Sequence, residues 1–181
     1  MTRTVDLHIH TCFSDGADTP ERVVAIAVEK ELCCIAVTDH DILDGIEPAI
    51  QAAEGTGLEV IPGVELSTQH SGADIHILGY CFDCHDPVMR QKLRMFQDTR
   101  MSRVKMMASR LRELGMDITD GDIFSLAGSD AIGRPHIAQA LVNKGYVRTA
   151  AQAFDEYIAE GKPAYVEKFK QTPYEAIALI R

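Results

Sequence analysis

His8 and His10 stand two residues apart in Thr4-Val5-Asp6-Leu7-His8-Ile9-His10, a stretch that alternates in character. On a strand that spacing sends both imidazoles to one face. Asp15 follows in the turn Ser14-Asp15-Gly16. Asp39, His40 and Asp41 come directly after an apolar run, Glu65 ends another, and His76 lies beside Asp74 in a fourth stretch. Imidazole nitrogens mixed with carboxylate oxygens suit Mn2+, Zn2+ or Fe2+, whereas Mg2+ prefers fewer nitrogens. So many of these groups in one place would repel or stay poorly solvated without a cation. A carboxylate such as Glu65 can also bridge two ions, which a histidine cannot. Each residue alone has a plainer reading. A strand histidine is usually a satisfied polar group. An aspartate after a strand, such as Asp15, Asp41 or Asp44, is usually a turn former or cap. The set is what points to a metal site, because its members fall at the same end of successive strands.

The elements that must carry these residues are legible from pattern. Residues 4–10 alternate and read as a strand. Thr19-Pro20-Glu21 opens a helix that runs to about Leu32: Thr19 caps, Pro20 suits the first turn, and Glu21 suits the positive dipole end. Residues 33–38 are a buried-type strand. A helix over 45–55, a strand over 58–65 and a strand over 74–81 follow. This β-α-β-α-β order predicts an α/β fold with a parallel sheet, in which sites assemble at the C-terminal strand ends. From Asp86 the period changes. Met95, Met101, Val104, Met107, Leu111 and Leu114 recur at helical spacing as a core stripe, and Gly115 can stop the helix. Shorter helices follow over 120–126, 136–144, 149–159 and 172–180. The chain thus divides into a strand-rich part, 1–85, a mostly helical insertion lobe, 86–170, and the start of a return, 171–181.

Composition bounds the rest. The 181 residues are 46% hydrophobic and 25% charged, the balance of a folded globular protein. A closed α/β barrel typically takes roughly 250 residues. Against 18 Lys and Arg stand 27 Asp and Glu, a net charge of −9, which argues against a stable nucleic-acid partner but not against an acidic substrate. Charges interrupt every apolar stretch, so nothing approaches the roughly 20 apolar residues of a membrane span. The first residues lack the pattern of a secretory leader. The five cysteines are an odd number and read as reduced thiols. Cys81 and Cys84 form a single CxxC with no second pair, and Cys33 and Cys34 read as core. The expectation is a cytoplasmic protein.

Asp6-Leu7-His8-Ile9-His10-Thr11, Ser14-Asp15-Gly16, Thr38-Asp39-His40-Asp41, Gly63-Val64-Glu65 and His76-Ile77-Leu78-Gly79 resemble the motifs of the PHP (polymerase and histidinol phosphatase) superfamily of metal-dependent phosphoesterases. Ile132-Gly133-Arg134-Pro135-His136-Ile137-Ala138 and Gly161-Lys162-Pro163-Ala164-Tyr165-Val166 resemble the helical insertion of one branch. That branch holds 3′,5′-nucleoside bisphosphate phosphatases and 5′-to-3′ exoribonucleases. The resemblance implies a distorted (β/α) barrel, present here in its N-terminal part, and a trinuclear centre, usually of Mn2+, with Zn2+, Fe2+ or Mg2+ as alternatives. His8, His10 and Glu65 would hold the first ion. Glu65 would bridge to a second held by His76, and Asp15 and His40 would hold the third. The family takes further ligands from a His-Pro and an Asp-x-His. No histidine follows His136 in this sequence, so the expectation is an incomplete site.

The implied chemistry is attack of a metal-activated water on phosphorus, with no side-chain nucleophile. The substrates implied are 3′,5′-bisphosphonucleotides such as pAp, or the 5′ ends of short RNA. Arg134 and His136 lie in a Gly-Arg-Pro-His turn that begins a helix. A guanidinium matches phosphate oxygens, and a helix start attracts anions. Arg134 is therefore a candidate phosphate ligand, and His136 is a candidate neighbour of the phosphate or leaving group. Lys162, with Lys168 or Lys170, is a candidate for a second phosphate. The plainer readings are a capping turn and solvated loop lysines. Two other functions fit the motifs: a different phosphomonoesterase, such as one acting on histidinol phosphate, and a non-catalytic module that only binds metal.

Overall fold

The computed structural model describes residues 4–126, 132–169 and 171–181; Lys170 lies outside them. They form two units, Met1–Met95 with Lys170–Arg181, and Phe96–Phe169.

The first unit is built on a four-stranded sheet in the order β1-β2-β3-β4. Strand β1 (Val5–Ile9) leads to α1 (Pro20–Glu29), β2 (Cys34–Val37), α2 (Ile46–Ala53), β3 (Glu59–His70) and β4 (Ala73–Tyr80). Helix α1 starts where the local signals place it: the Thr19 hydroxyl accepts from Arg22 N, and Pro20 occupies the first turn. Every residue of β2 is buried. Val23, Val24 and Ala27 of α1, with Ala49 and Ala53 of α2, cover Ile35 and Val37. Strands β1, β2 and β3 are parallel, as the element order predicts.

The fourth strand departs from that order. Strand β3 continues past Glu65 to His70 and folds straight back into β4, which pairs antiparallel to it. The turn is Ser71-Gly72, both with positive φ (51° and 84°), the geometry of a tight two-residue hairpin. The sheet is therefore mixed. Glu65 lies within β3, and His76 lies within β4, not at a C-terminal strand end. The sheet also curls. The Tyr80 hydroxyl on β4 donates to the Leu7 carbonyl on β1 at 2.8 Å, although these strands are its opposite edges. Helix α7 (Pro173–Ile180), capped by Thr172 and Glu175, packs on β3 and β4.

Helix α3 (Pro87–Glu113) leads into the second unit, which continues with α4 (Asp120–Phe124), α5 (Arg134–Asn143) and α6 (Ala150–Ala153). A π-helical turn, Phe154–Ile158, follows α6 and replaces the end of the single helix expected over 149–159. Its core gathers Val104, Met107, Leu111, Ile118, Ile123, Ile137, Leu141 and Ile158. Met101 packs against this core, but Met95 and Leu114, expected in the same stripe, are each 47% exposed. Leu114 falls beyond the last helical residue, where Gly115 turns the chain with φ of 86°.

Candidate metal centre

The curled sheet brings the six expected ligands into one cluster around Glu65. His8 lies on β1 and His10 one residue past its end. The line of β2 is prolonged by two backbone bonds, Glu65 N to Asp39 O at 3.2 Å and Asp41 N to Glu65 O at 3.1 Å, which set His40 beside Glu65. Across the hairpin Ser67 faces His76, so His76 is the diagonal neighbour of Glu65 on the same face. Glu65 Oε2 lies 2.8 Å from His8 Nε2, 3.0 Å from His10 Nε2 and 3.7 Å from His40 Nδ1. Its Oε1 lies 2.6 Å from His76 Nδ1. Asp15 stands 3.2 Å from His10 Nδ1 and 3.6 Å from His40 Nε2. Three overlapping groups result: His8, His10 and Glu65; His10, Asp15 and His40; His40, Glu65 and His76. Within each group the donor atoms lie within 4.8 Å of one another.

The chemistry of this donor set fits a divalent cation. The Nδ1 of His40 is buried and has no hydrogen-bond partner among the described residues, an arrangement that costs about 1–3 kcal/mol unless another partner takes the atom. Burial lowers the proton affinity of His40 despite the nearby Glu65 and Asp15 carboxylates, so the ring is neutral and can ligate at physiological pH. Burial alone would raise the pKa of Glu65. The His8 and His76 hydrogen bonds, with the attraction to the His40 and His76 rings when these are protonated, outweigh it, and Glu65 stays below its ordinary value. A neutral imidazole and an ionised carboxylate are the forms a cation binds, and these are the forms favoured for His40 and Glu65.

Asp39 and Asp41 have another task. The buried Asp39 carboxylate accepts from Thr11 N at 2.7 Å, Thr11 Oγ1 at 2.7 Å and Ser14 Oγ at 2.5 Å. It thereby fixes the loop between β1 and α1 that carries His10 and Asp15. Asp41 accepts from Ser67 N at 2.9 Å and steadies β3 beside Glu65. Sequence pattern does not reveal these bonds, whose partners are 25 to 28 residues apart.

Gly16 completes the loop by close approach. A Cβ there would lie 2.3 Å from the His10 carbonyl oxygen and 2.8 Å from Thr11 N, both of them backbone atoms. Gly16→Ala is therefore expected to displace His10 and Asp15 and to weaken divalent-metal binding about tenfold or more. Calorimetric titration with Mn2+ checks this, with circular dichroism confirming an intact fold.

The other expected site residues belong to the second unit. Arg134 opens α5 with Gly133 as N-cap. His136 Nδ1 accepts from Gly133 N at 3.2 Å, which leaves Nε2 as the proton-bearing nitrogen of the neutral ring. Lys162 is exposed, and its backbone N donates to Ala159 O. The guanidinium of Arg134 stacks near the rings of Phe154 and Tyr165.

A family model described as the PHP domain matches residues 6–167. The chain belongs to the PHP family. It is 38% identical over 177 residues to a 5′-3′ exoribonuclease, Rnm, of Salmonella typhimurium, covering 97% of this chain and 60% of that protein. It is 33% identical over 163 residues to a 3′,5′-nucleoside bisphosphate phosphatase of Chromobacterium violaceum, covering 90% of this chain and 57% of that protein. A crystal structure from Bifidobacterium adolescentis, proposed to be a metal-dependent phosphoesterase, superposes with a TM-score of 0.79 at 30% identity. That match covers 99% of this chain and 64% of the other. The chain thus spans about 60% of the length of these PHP relatives. Its curled sheet and helices are part of a PHP-type barrel. PHP membership and the His/Glu cluster together suggest a divalent metal. No described helix is long and apolar enough to cross a membrane.

Proposed function

We propose that this chain carries a divalent-metal centre of a phosphoesterase acting on 3′,5′-bisphosphonucleotides such as pAp, or on the 5′ ends of short RNA. The observation that carries the reading is the Glu65 carboxylate, with His8, His10 and His76 within 3.0 Å of its oxygens and His40 at 3.7 Å. His8, His10, Asp15, His40, Glu65 and His76 are the proposed ligands, and Mn2+ is the proposed metal, in keeping with a mixed nitrogen and oxygen set. When bound, a divalent cation supplies Lewis acidity, polarising a phosphoryl oxygen and acidifying water. Glu65 shares its two oxygens between different histidine groups, so it ties the subsites into one unit. Asp15 faces His10 and His40 within one of these groups. Arg134 offers a planar fork to phosphate oxygens, His136 offers the Nε2–H that its Gly133 contact leaves free, and Lys162 offers a point charge. The names of the exoribonuclease and bisphosphate phosphatase relatives support this substrate class. The free cysteines support a reducing compartment, the cytoplasm.

Phosphate release from pAp, histidinol phosphate and a 5′-phosphorylated oligoribonucleotide tests this. The expected result is release from pAp or the oligoribonucleotide, abolished by EDTA and restored by Mn2+. Release from histidinol phosphate alone would move the substrate to another class. Bound metal without turnover of any of the three would make the chain a metal-binding module.

A further inference from the structure

Arg103 is a charged residue in the interior of a protein whose net charge is −9. It lies on α3 at the spacing of Met107 and Leu111, two core residues, and is only 8% exposed. Its Nε donates to the Val166 carbonyl at 2.7 Å, and its guanidinium lies 5.6 Å from the centre of the Tyr165 ring. The guanidinium of Arg134 lies 5.8 Å from that same ring centre and 5.5 Å from the ring of Phe154. Neither arginine has a carboxylate within salt-bridge distance among the described residues. Tyr165 is held in turn by Arg110, which donates to its carbonyl. Phe154 stands on the π-helical turn, a rare element that is frequent at functional sites.

Two guanidinium groups sharing one ring, with no acid between them among the described residues, repel each other, and burying a charge unpaired is costly. Burial and the Arg134 charge lower the proton affinity of Arg103, outweighing the Tyr165 side chain, which favours the charged form. The carbonyl of Val166 and the ring faces orient the two groups but do not neutralise them. An anion would.

We propose that Arg103 and Arg134 form a paired-guanidinium site around Tyr165 that binds a phosphate group. The inference rests on the reading of Arg134 as a phosphate ligand and adds Arg103 as its buried partner. The phosphate can be a monoester or a diester of a nucleic-acid backbone, and the test separates the two. The full chain is stripped of metal with EDTA, so that the histidine cluster contributes no binding. Its thermal midpoint is followed with inorganic phosphate in one arm and a 5′-hydroxyl oligoribonucleotide in the other, with chloride at matched ionic strength as control. At a tenfold excess over Kd the wild type should rise by about 3–6 °C in at least one arm. Arg103→Met keeps the stem without the charge and should lose that rise. Its melting without phosphate should fall only by what loss of the Val166 hydrogen bond costs, because no described carboxylate pairs with the charge it removes. Arg103→Lys keeps a charge without the fork, and should lose more than half of the rise; it carries the test if the methionine variant fails to fold. A response in the phosphate arm alone assigns a monoester, and a response to the oligoribonucleotide assigns a diester. No rise in either arm would overturn the proposal. So would a rise that both variants retain, or an Arg103→Met chain that melts far lower yet responds to phosphate as the wild type does. Metal-dependent hydrolysis is measured separately, so loss of this site would leave the metal-centre reading standing.

Discussion

Glu65→Ala is expected to abolish tight divalent-metal binding, lowering affinity by at least about 100-fold, and to remove any phosphoesterase activity with it. Among the described residues only His10 and His40 belong to as many of the candidate groups, and Glu65 is the carboxylate on which the imidazoles converge. Its carboxylate belongs to two of the three candidate ligand groups and stands beside four imidazoles. Removing it leaves histidines that no longer converge on a common anion. His10, Asp15 and His40 form the one group that does not include Glu65, so weak binding to a residual site is the expected remainder. Calorimetric titration of Mn2+ into both chains reads the difference. Glu65→Gln separates charge from shape: it keeps the volume, loses the anion, and should fail to bind almost as completely.

Asp39→Ala should be strongly destabilising, because Asp39 holds the loop that carries His10 and Asp15. The carboxylate is buried and accepts from a backbone N–H and two hydroxyls, all of which lose their partner on truncation. A hydrogen bond to a charged group is worth about 1.5–3 kcal/mol, and orphaning the buried Thr11 N–H adds to the loss, so about 3–5 kcal/mol is expected. Urea unfolding of the metal-free chain measures it. Asp39→Asn should lose less, because its amide oxygen still accepts from Thr11. Gly45 approaches the same carboxylate closely. A Cβ there would come within 2.5 Å of Asp39 Oδ2, so only glycine leaves the aspartate room.

The parts of the fold set by short-range signals were legible in the sequence. Alternation in β1, the apolar run of β2 and the Thr19-Pro20 helix start each appear where their local chemistry puts them. The convergence of His8, His10, Asp15, His40, Glu65 and His76 could be anticipated because each follows or lies in a recognisable strand. The direction of β4 could not be anticipated from element order alone. The polar residues after Glu65 resemble a loop, and only the pairing with β4 makes them strand; Ser71-Gly72 was the local sign of the hairpin. Asp39 adjoins the expected ligand His40 and follows the same strand. Its side chain turns to Thr11 and Ser14 instead, and such a choice depends on partners far away in the chain. A charged residue on a long helix is usually solvated, so Arg103 shows little local sign of burial. Its place in line with Met107 and Leu111 was the available signal.

The most direct test is to count metal in the folded chain. The protein is stripped with chelator, reloaded with Mn2+ at neutral pH, passed through a desalting column and measured by inductively coupled plasma mass spectrometry. At least one Mn2+ per chain should remain. It should be lost as the pH falls, because protons compete with the cation for its ligand atoms. Glu65→Ala should retain little or none under the same conditions. A folded wild-type chain that emerges without metal, or one that holds as much metal after Glu65→Ala, would contradict a metal centre built around Glu65.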